Sequence, residues 1–312
     1  MTRVLFSAPK KDWEAYEPHL SAAFAELGLA VSLEHSLSPD TPESIDYIIY
    51  APSSALQDFA PFTGVKLVQN LWAGVEEVVS NPTLTQPLAR MVDEGLTQGM
   101  VEWCVGHVLR HHLGMDRQII RQDGVWDPVV PPLARERRVT ILGLGELGQA
   151  VAAALARLGF ELRGWSRSLR DVPDVESFAG DDGLSDALRD AEIVVLLLPQ
   201  TAATENVMNA ERLALLAHRA VLINPGRGPL VDEAALISAL DRGQIAHATL
   251  DVFREEPLPS EHPFWAHEKV TVTPHIASVT RPSTAARVVA ENIRRGEAGE
   301  PFLHLVDRAR GY

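Results

Sequence analysis

The sequence contains a single cysteine, Cys104. This excludes an internal disulfide and a structural zinc site built from several thiolates, so metal-free chemistry is expected. No apolar run approaches the roughly eighteen residues of a membrane span. The opening stretch, MTRVLFSAPKKDW, turns polar before a signal-peptide core develops. Positive charge is also scarce: 28 Lys and Arg stand against 42 Asp and Glu, a net charge of -14. That balance opposes nucleic-acid binding, which draws its affinity largely from Lys and Arg neutralising phosphates. Repeats and low-complexity segments are absent, and the proline-rich piece DPVVPPLARERR reads as a connector. A soluble, cytoplasmic protein with no membrane and no nucleic-acid partner is the expectation.

What is present points to an α/β protein. At 312 residues, 46% of them hydrophobic, the chain exceeds the size of one core and predicts two domains. Its middle alternates β-branched or leucine-rich runs with alanine-rich helical stretches, the pattern of a buried parallel sheet under crossover helices. Six strands are predicted there: RRVTIL, FELRGW, EIVVLLL, AVLIN, HATLDV and VTVT. The first 98 residues hold a looser set, TRVLFSA, a helix near Asp12 to Leu27, LAVSL, IDYIIYA and VKLVQN, which reads as a second, smaller α/β domain. The stretch MVEWCVGHVLRHHLG places Val101, Cys104, Val105, Val108 and Leu109 on one helical face, suited to a helix at the domain junction. A helix following Pro282 could return to the first domain. The boundaries read as 1–99 with 283–312, and 100–282.

The segment VTILGLGELGQAVAAALARLG sets Gly143, Gly145 and Gly148 between a strand and a helix. Two glycines permit a tight turn close to a pyrophosphate and the third lets helix pack on strand, while the helix N-terminus offers free N–H groups to phosphates. About twenty residues on, where an acid usually accepts from the ribose hydroxyls of NAD, the chain has Trp165, Ser166 and Arg167. Ser166 removes an acid's repulsion of a 2′-phosphate, and Arg167, Ser168 and Arg170 can donate to one. One or two such charge-assisted bonds imply roughly ten-fold to several-hundred-fold preference for NADP(H) over NAD(H).

Ligands of open α/β sheets sit beyond the carboxyl ends of the strands. AVLIN is followed by Arg227 in NPGRG, HATLDV by Asp251 and Glu256 in DVFREEP, and VTVT by His275 in TPHIAS. Each alone could be a turn or solvated residue; on three successive strand ends they form a catalytic set. Reducing a carbonyl beside a nicotinamide requires a hydride at the carbon and a proton at its oxygen, and only imidazole titrates near neutrality unperturbed. His275 is then the acid, Glu256 its orienting partner, and Arg227 a grip for an anionic group. A glycine turn after VKLVQN, Ala73-Gly74-Val75, can bind an anion through backbone N–H groups, with Trp72 as a wall. It can equally be an ordinary strand-to-helix turn.

The motifs GLGELG, LLLP, NPGRG, LDVF, EEPLP and TPHIA, in this order and spacing, resemble the D-isomer-specific 2-hydroxyacid dehydrogenase family. GWSR, SFAG, REEPLP, VTRP and the terminal VDRARGY resemble its glyoxylate/hydroxypyruvate reductase A branch. The resemblance spans nearly the whole chain. It implies a Rossmann-type doubly wound parallel sheet, a smaller flavodoxin-like α/β substrate domain, a cleft active site and a homodimer. It assigns catalysis to Arg227, Glu256 and His275, and cofactor contacts to Gly143, Gly145, Glu146, Leu147, Ser166, Arg167, Ser168, Leu198, Pro199, Asn224 and Asp251, the last to the nicotinamide carboxamide. It supports substrate contacts from Trp72, Ala73, Gly74, Val75 and Arg227. The expected reaction is NADPH-dependent reduction of glyoxylate and hydroxypyruvate.

Two positions depart from the family's usual text. Pro225-Gly226 precedes Arg227, removing an N–H and predicting a looser turn, and Glu76 stands where many members have aspartate. His107 and His111, spaced i, i+4, match a zinc pair, but no third ligand is evident, and Cys104 reads as core. Two alternatives stay open at this point: an NAD-dependent relative acting on larger 2-hydroxy acids, and a non-catalytic dinucleotide sensor resembling transcriptional corepressors. Trp72, Trp126 and Tyr50 are the aromatic candidates for limiting substrate size.

Overall fold

The computed structural model describes residues 1–35, 41–120 and 122–311; the last residue of VDRARGY lies outside them. The chain divides into two compact units, Met1–Leu96 with Val279–Tyr312, and Thr97–Ser278.

In the first unit, β1 (Thr2–Ser7), α1 (Lys10–Glu26), β2 (Val31–His35), β3 (Tyr47–Tyr50), β4 (Leu67–Asn70), α2 (Glu76–Val79) and β5 (Leu88–Ala89) follow in order. The strands pair in parallel in the order β2-β1-β3-β4-β5, the flavodoxin-like arrangement. Hydrophobic side chains in β1 and β3 are buried on both faces, as a sheet covered on both sides requires. Tyr50 is one of them: it packs edge-on against Phe59 at 5.2 Å, inside the core, and so cannot limit substrate size.

The second unit takes most of α3 (Glu94–His112), then α4 (Met115–Ile120), β6 (Arg138–Leu142), α5 (Glu146–Arg157), β7 (Glu161–Ser166), β8 (Glu176–Ala179), α6 (Gly180–Leu188), β9 (Ile193–Leu196), α7 (Ala210–Leu215), β10 (Ala220–Asn224), α8 (Glu233–Asp241), β11 (Ile245–Leu250) and β12 (Val270–Val272). Seven parallel strands run β12-β11-β10-β9-β6-β7-β8. The order reverses at β6, which places the start of α5 at the switch point where doubly wound sheets bind ligands. The seventh strand, β8, is additional to the six expected. Its Glu-Ser-Phe-Ala sequence, partly exposed on a sheet edge, carries neither the β-branched run nor the burial that marks the others.

Met100, Cys104 and Val108 of α3 are buried against Val139, Ile141 and Val221 in the second unit's core. Cys104 is fully buried there, and burial raises its thiol pKa. After the chain returns, α9 (Pro282–Ala298) packs Ala286, Val289 and Ile293 with Leu20 and Phe24 of α1. The tail beyond it reaches the edge strand: Leu305 bridges Ala89 antiparallel, Val306 N–H donates to Leu88 O at 2.8 Å, and Arg308 donates to the carbonyls of Leu84 and Gln86. No helix among the described residues is long and apolar enough to cross a membrane.

Candidate active site

Beyond β6 the backbone turns at Gly143 with φ +107°, where a Cβ would lie 2.4 Å from Leu197 O. Gly148 is tighter: its Cβ would meet Gly143 O at 1.8 Å, so only glycine lets α5 approach the turn. Gly145 differs, since a Cβ there would meet nothing within 4 Å. The first turn of α5 has no side-chain cap, and among the described residues the N–H groups of Glu146, Leu147 and Gly148 donate no hydrogen bond. A pyrophosphate fits such a place. At the end of β7, Ser166 is buried and donates to Ser168 O at 2.8 Å. Arg167, Ser168 and Arg170 are exposed, and the strand end carries no acid. After β9, Leu198 is buried in the core, while Pro199 O accepts from Thr204 Oγ1 at 2.7 Å, which closes that loop.

Two buried polar residues end the next two strands. Asn224 accepts from Gly226 N–H at 3.1 Å and donates from Nδ2 to Arg227 O at 2.9 Å. Its amide thereby pins the turn that Pro225 was expected to loosen. A Cβ on Gly226 would come within 2.8 Å of Leu196 O, and one on Gly228 within 2.0 Å of the Phe253 carbonyl carbon. Arg227 is half-buried on this rigid turn. Asp251, fully buried, accepts from Thr273 Oγ1 at 2.6 Å, Ile276 N–H at 2.9 Å and Ala277 N–H at 2.8 Å.

His275 sits on that loop with φ +54°. Left-handed backbone at a non-glycine residue costs on the order of 1–3 kcal/mol and is found where surrounding bonds enforce it. Its Nδ1 is 2.6 Å from Glu256 Oε2, and Glu256 Oε1 accepts from Phe253 N–H at 2.8 Å. The ring is half-exposed, so its other nitrogen can meet a solute. The second unit thus carries a glycine turn at a helix N-terminus, a guanidinium, and an imidazole oriented by a carboxylate, all at strand carboxyl ends.

Residues 103–277 match the family model described as D-isomer specific 2-hydroxyacid dehydrogenase, NAD binding domain. The chain belongs to this family. Among other 2-hydroxyacid dehydrogenases, a protein named glyoxylate/hydroxypyruvate reductase A from Klebsiella pneumoniae is 39% identical over 287 residues, 89% of this chain and 91% of its own. One of the same name from Yersinia enterocolitica is 43% identical over 72% of each chain. A solved 2-hydroxyacid dehydrogenase from Xanthobacter autotrophicus Py2, in complex with NADPH and MES, superposes with a TM-score of 0.91 at 43% identity, covering 100% of this chain and 99% of its own. An NADPH-dependent glyoxylate/hydroxypyruvate reductase from Sinorhizobium meliloti, in complex with NADP and sulfate, gives 0.86 at 34% identity over 100% of both chains.

In the first unit of this dehydrogenase, Asn70 Nδ2 donates to Trp72 O and Gly74 O, each at 2.9 Å, and so shapes the Ala73-Gly74-Val75 turn. Val75 buries its side chain in the core, leaving only backbone to meet a ligand, and Trp72 is 42% exposed. Among the described residues the N–H groups of Ala73, Gly74 and Val75 donate no hydrogen bond.

Sequence reasoning missed a polar seam behind the site. His111 Nε2 lies 2.9 Å from Thr249 Oγ1, and His247 Nε2 2.8 Å from Thr271 Oγ1. Their rings stand 5.0 Å apart, and Arg110 ties Thr271 to Asp116. The i, i+4 histidines therefore belong to a packed face. Among the described residues no group of three His, Cys, Asp or Glu could hold a metal ion. Burial lowers the pKa of His111 to about 3 and of His247 to about 4, with the neighbouring cations adding to it.

Proposed function

We propose that the chain reduces small 2-oxo acids, glyoxylate to glycolate and hydroxypyruvate to D-glycerate, using NADPH in preference to NADH. The observation that carries this reading is the 2.6 Å contact between His275 and Glu256 at a strand end of the sheet that also bears the glycine turn. The names and bound NADPH or NADP of the similar proteins support it.

The cofactor supplies the hydride to the carbonyl carbon. The rest belongs to the chain. His275, protonated, gives a proton to the carbonyl oxygen as it becomes a hydroxyl, and Glu256 holds the ring through Nδ1. Arg227 takes the substrate carboxylate and polarises the ketone. In the first unit, taken by itself, Trp72 and the N–H groups of Ala73, Gly74 and Val75 form the proposed substrate-binding turn, suited to an anionic group. Gly143, Gly145, Glu146 and Leu147 hold the pyrophosphate; Leu198, Pro199, Asn224 and Asp251 line the rest of the nucleotide site. Ser166, Arg167 and Ser168 receive the 2′-phosphate. The segments 1–99 with 283–312 and 100–282 act as the substrate-binding and nucleotide-binding domains.

A cytoplasmic homodimer completes the proposal, since NADPH is an intracellular reductant. Ile120 (82% exposed), Trp126 (93%) and Val130 (88%) are exposed apolar side chains that a second copy would cover. Steady-state assays of both acids with both cofactors test the activity. Turnover of glyoxylate and hydroxypyruvate favouring NADPH is expected; equal or better use of NADH defeats the cofactor reading, and no turnover with either defeats the reaction. Sedimentation at micromolar concentration tests the dimer, and a monomer there refutes it.

A further inference from the structure

We infer that Asp251 is the positioning residue for His275, holding the acid's backbone from beneath rather than serving only as a nucleotide contact. The inference rests on the proposed role of His275 as the proton donor. Between Thr273 and Ala277 the chain must leave β12, turn His275 outward at φ +54° and bury Ala277. Proline at 274 offers no N–H. Every N–H from the next three residues reaches Asp251: His275 on its carbonyl at 2.8 Å, shared with Thr273 O at 3.0 Å, Ile276 on Oδ1 at 2.9 Å and Ala277 on Oδ2 at 2.8 Å. The Thr273 hydroxyl adds a fourth bond, at 2.6 Å to Oδ1.

A fully buried carboxylate that accepts three donors from one loop is a strong local constraint. Among the described residues the imidazole itself is held through Glu256, which anchors its Nδ1. Ring position therefore depends on two carboxylates with separate tasks: Glu256 sets the rotation of the ring, and Asp251 sets where the ring begins. Asparagine cannot replace Asp251. Whichever way its amide faces, one of the two backbone N–H groups loses its acceptor and meets a donor instead.

The experiment compares wild type, Asp251→Asn and Thr273→Val in three measurements. Hydrogen exchange of the Ile276 and Ala277 amides is followed in nucleotide-free protein, NADPH affinity by fluorescence titration, and kcat for glyoxylate reduction. In Asp251→Asn the two amides are expected to exchange at least about tenfold faster, kcat to fall on the order of 10²-fold, and the NADPH Kd to rise by a much smaller factor than kcat falls. Preserved amide protection, or a Kd that rises by the same factor as the lost activity, overturns the inference and leaves Asp251 as a nucleotide ligand. Should Asp251→Asn fail to fold, Thr273→Val removes a single bond from the same carboxylate and is expected to cost about tenfold in kcat at unchanged NADPH Kd; an unchanged kcat overturns the inference. If wild type reduces no 2-oxo acid while the exchange result holds, the reaction reading fails and the loop anchor stands.

Discussion

Nδ1 of His275 and Oε2 of Glu256 stand 2.6 Å apart, and the second oxygen of the same carboxylate takes the Phe253 N–H at 2.8 Å. One acid is thus fixed to its own loop and to the ring at once. Glu256→Gln keeps a carbonyl oxygen for Phe253 and removes the carboxylate oxygen that anchors the ring. Reduction of glyoxylate is expected to fall at least about tenfold, because the ring loses its anchor at Nδ1. A near-normal rate, measured where chemistry limits it, separates Glu256 from the proton transfer.

His275→Ala removes the proton donor and is expected to lower kcat about 10²- to 10⁴-fold. In wild type, reduction consumes a proton from this residue and the reverse oxidation returns one. Reduction is therefore expected to weaken as pH rises and oxidation to strengthen. Parallel profiles in the two directions would contradict the assignment.

Arg227→Lys keeps a positive charge on the turn pinned by Asn224 but loses the planar fork. A fall in kcat/KM of roughly 10²-fold or more is expected, without rescue by lysine. Near-normal kinetics would assign the carboxylate grip to other groups.

Ser166→Asp returns an acid to the end of β7, where Ser166 lies buried beside exposed Arg167. The ratio of NADPH to NADH efficiency is expected to drop roughly ten- to several-hundred-fold. Paired kcat/KM measurements with the two cofactors check it.

The polar seam predicts acid sensitivity of the fold. His111 and His247 have folded pKa values of about 3 and about 4, below the ordinary imidazole value, chiefly through burial, with His247 and Arg110 adding to it at His111 and Arg110 and His267 at His247. The unfolded chain binds the extra protons, so the neutral rings contribute stability fully above about pH 6.5 and lose it as pH falls toward their folded values. Each is expected to cost on the order of 1–2 kcal/mol by pH 5. Urea denaturation at pH 7 and pH 5 measures the loss, and His247→Gln should lessen it.

Much of this fold is legible in the residues because the central strands are apolar on both faces and punctuated by glycine or proline. β9 and β10 are runs of Val, Ile and Leu ending in Pro199 or Asn224-Pro225, and they need no tertiary context to be read. β8 has none of that signal, and β5 is only two residues long. Gly143 and Gly148 were legible because their role is steric and local. The bonds of Asp251 were not, since its partners are 22 to 26 residues away along the chain. His111 meets Thr249 across 138 positions, a pairing that only the packing of α3 on the sheet creates. What linked both cases to the sequence was a polar residue at a buried position of a strand or its end, a signal whose meaning depends on which loop folds over it.

The bridge from Leu305 to Ala89, with Val306 and Arg308 beside it, gives the C-terminal tail a task unrelated to catalysis. It occupies hydrogen-bonding groups on β5 and its approach that another chain could otherwise pair with. Proteolytic trimming in this region would uncover an adhesive margin, so self-association through strand addition is the failure mode that these few residues guard against.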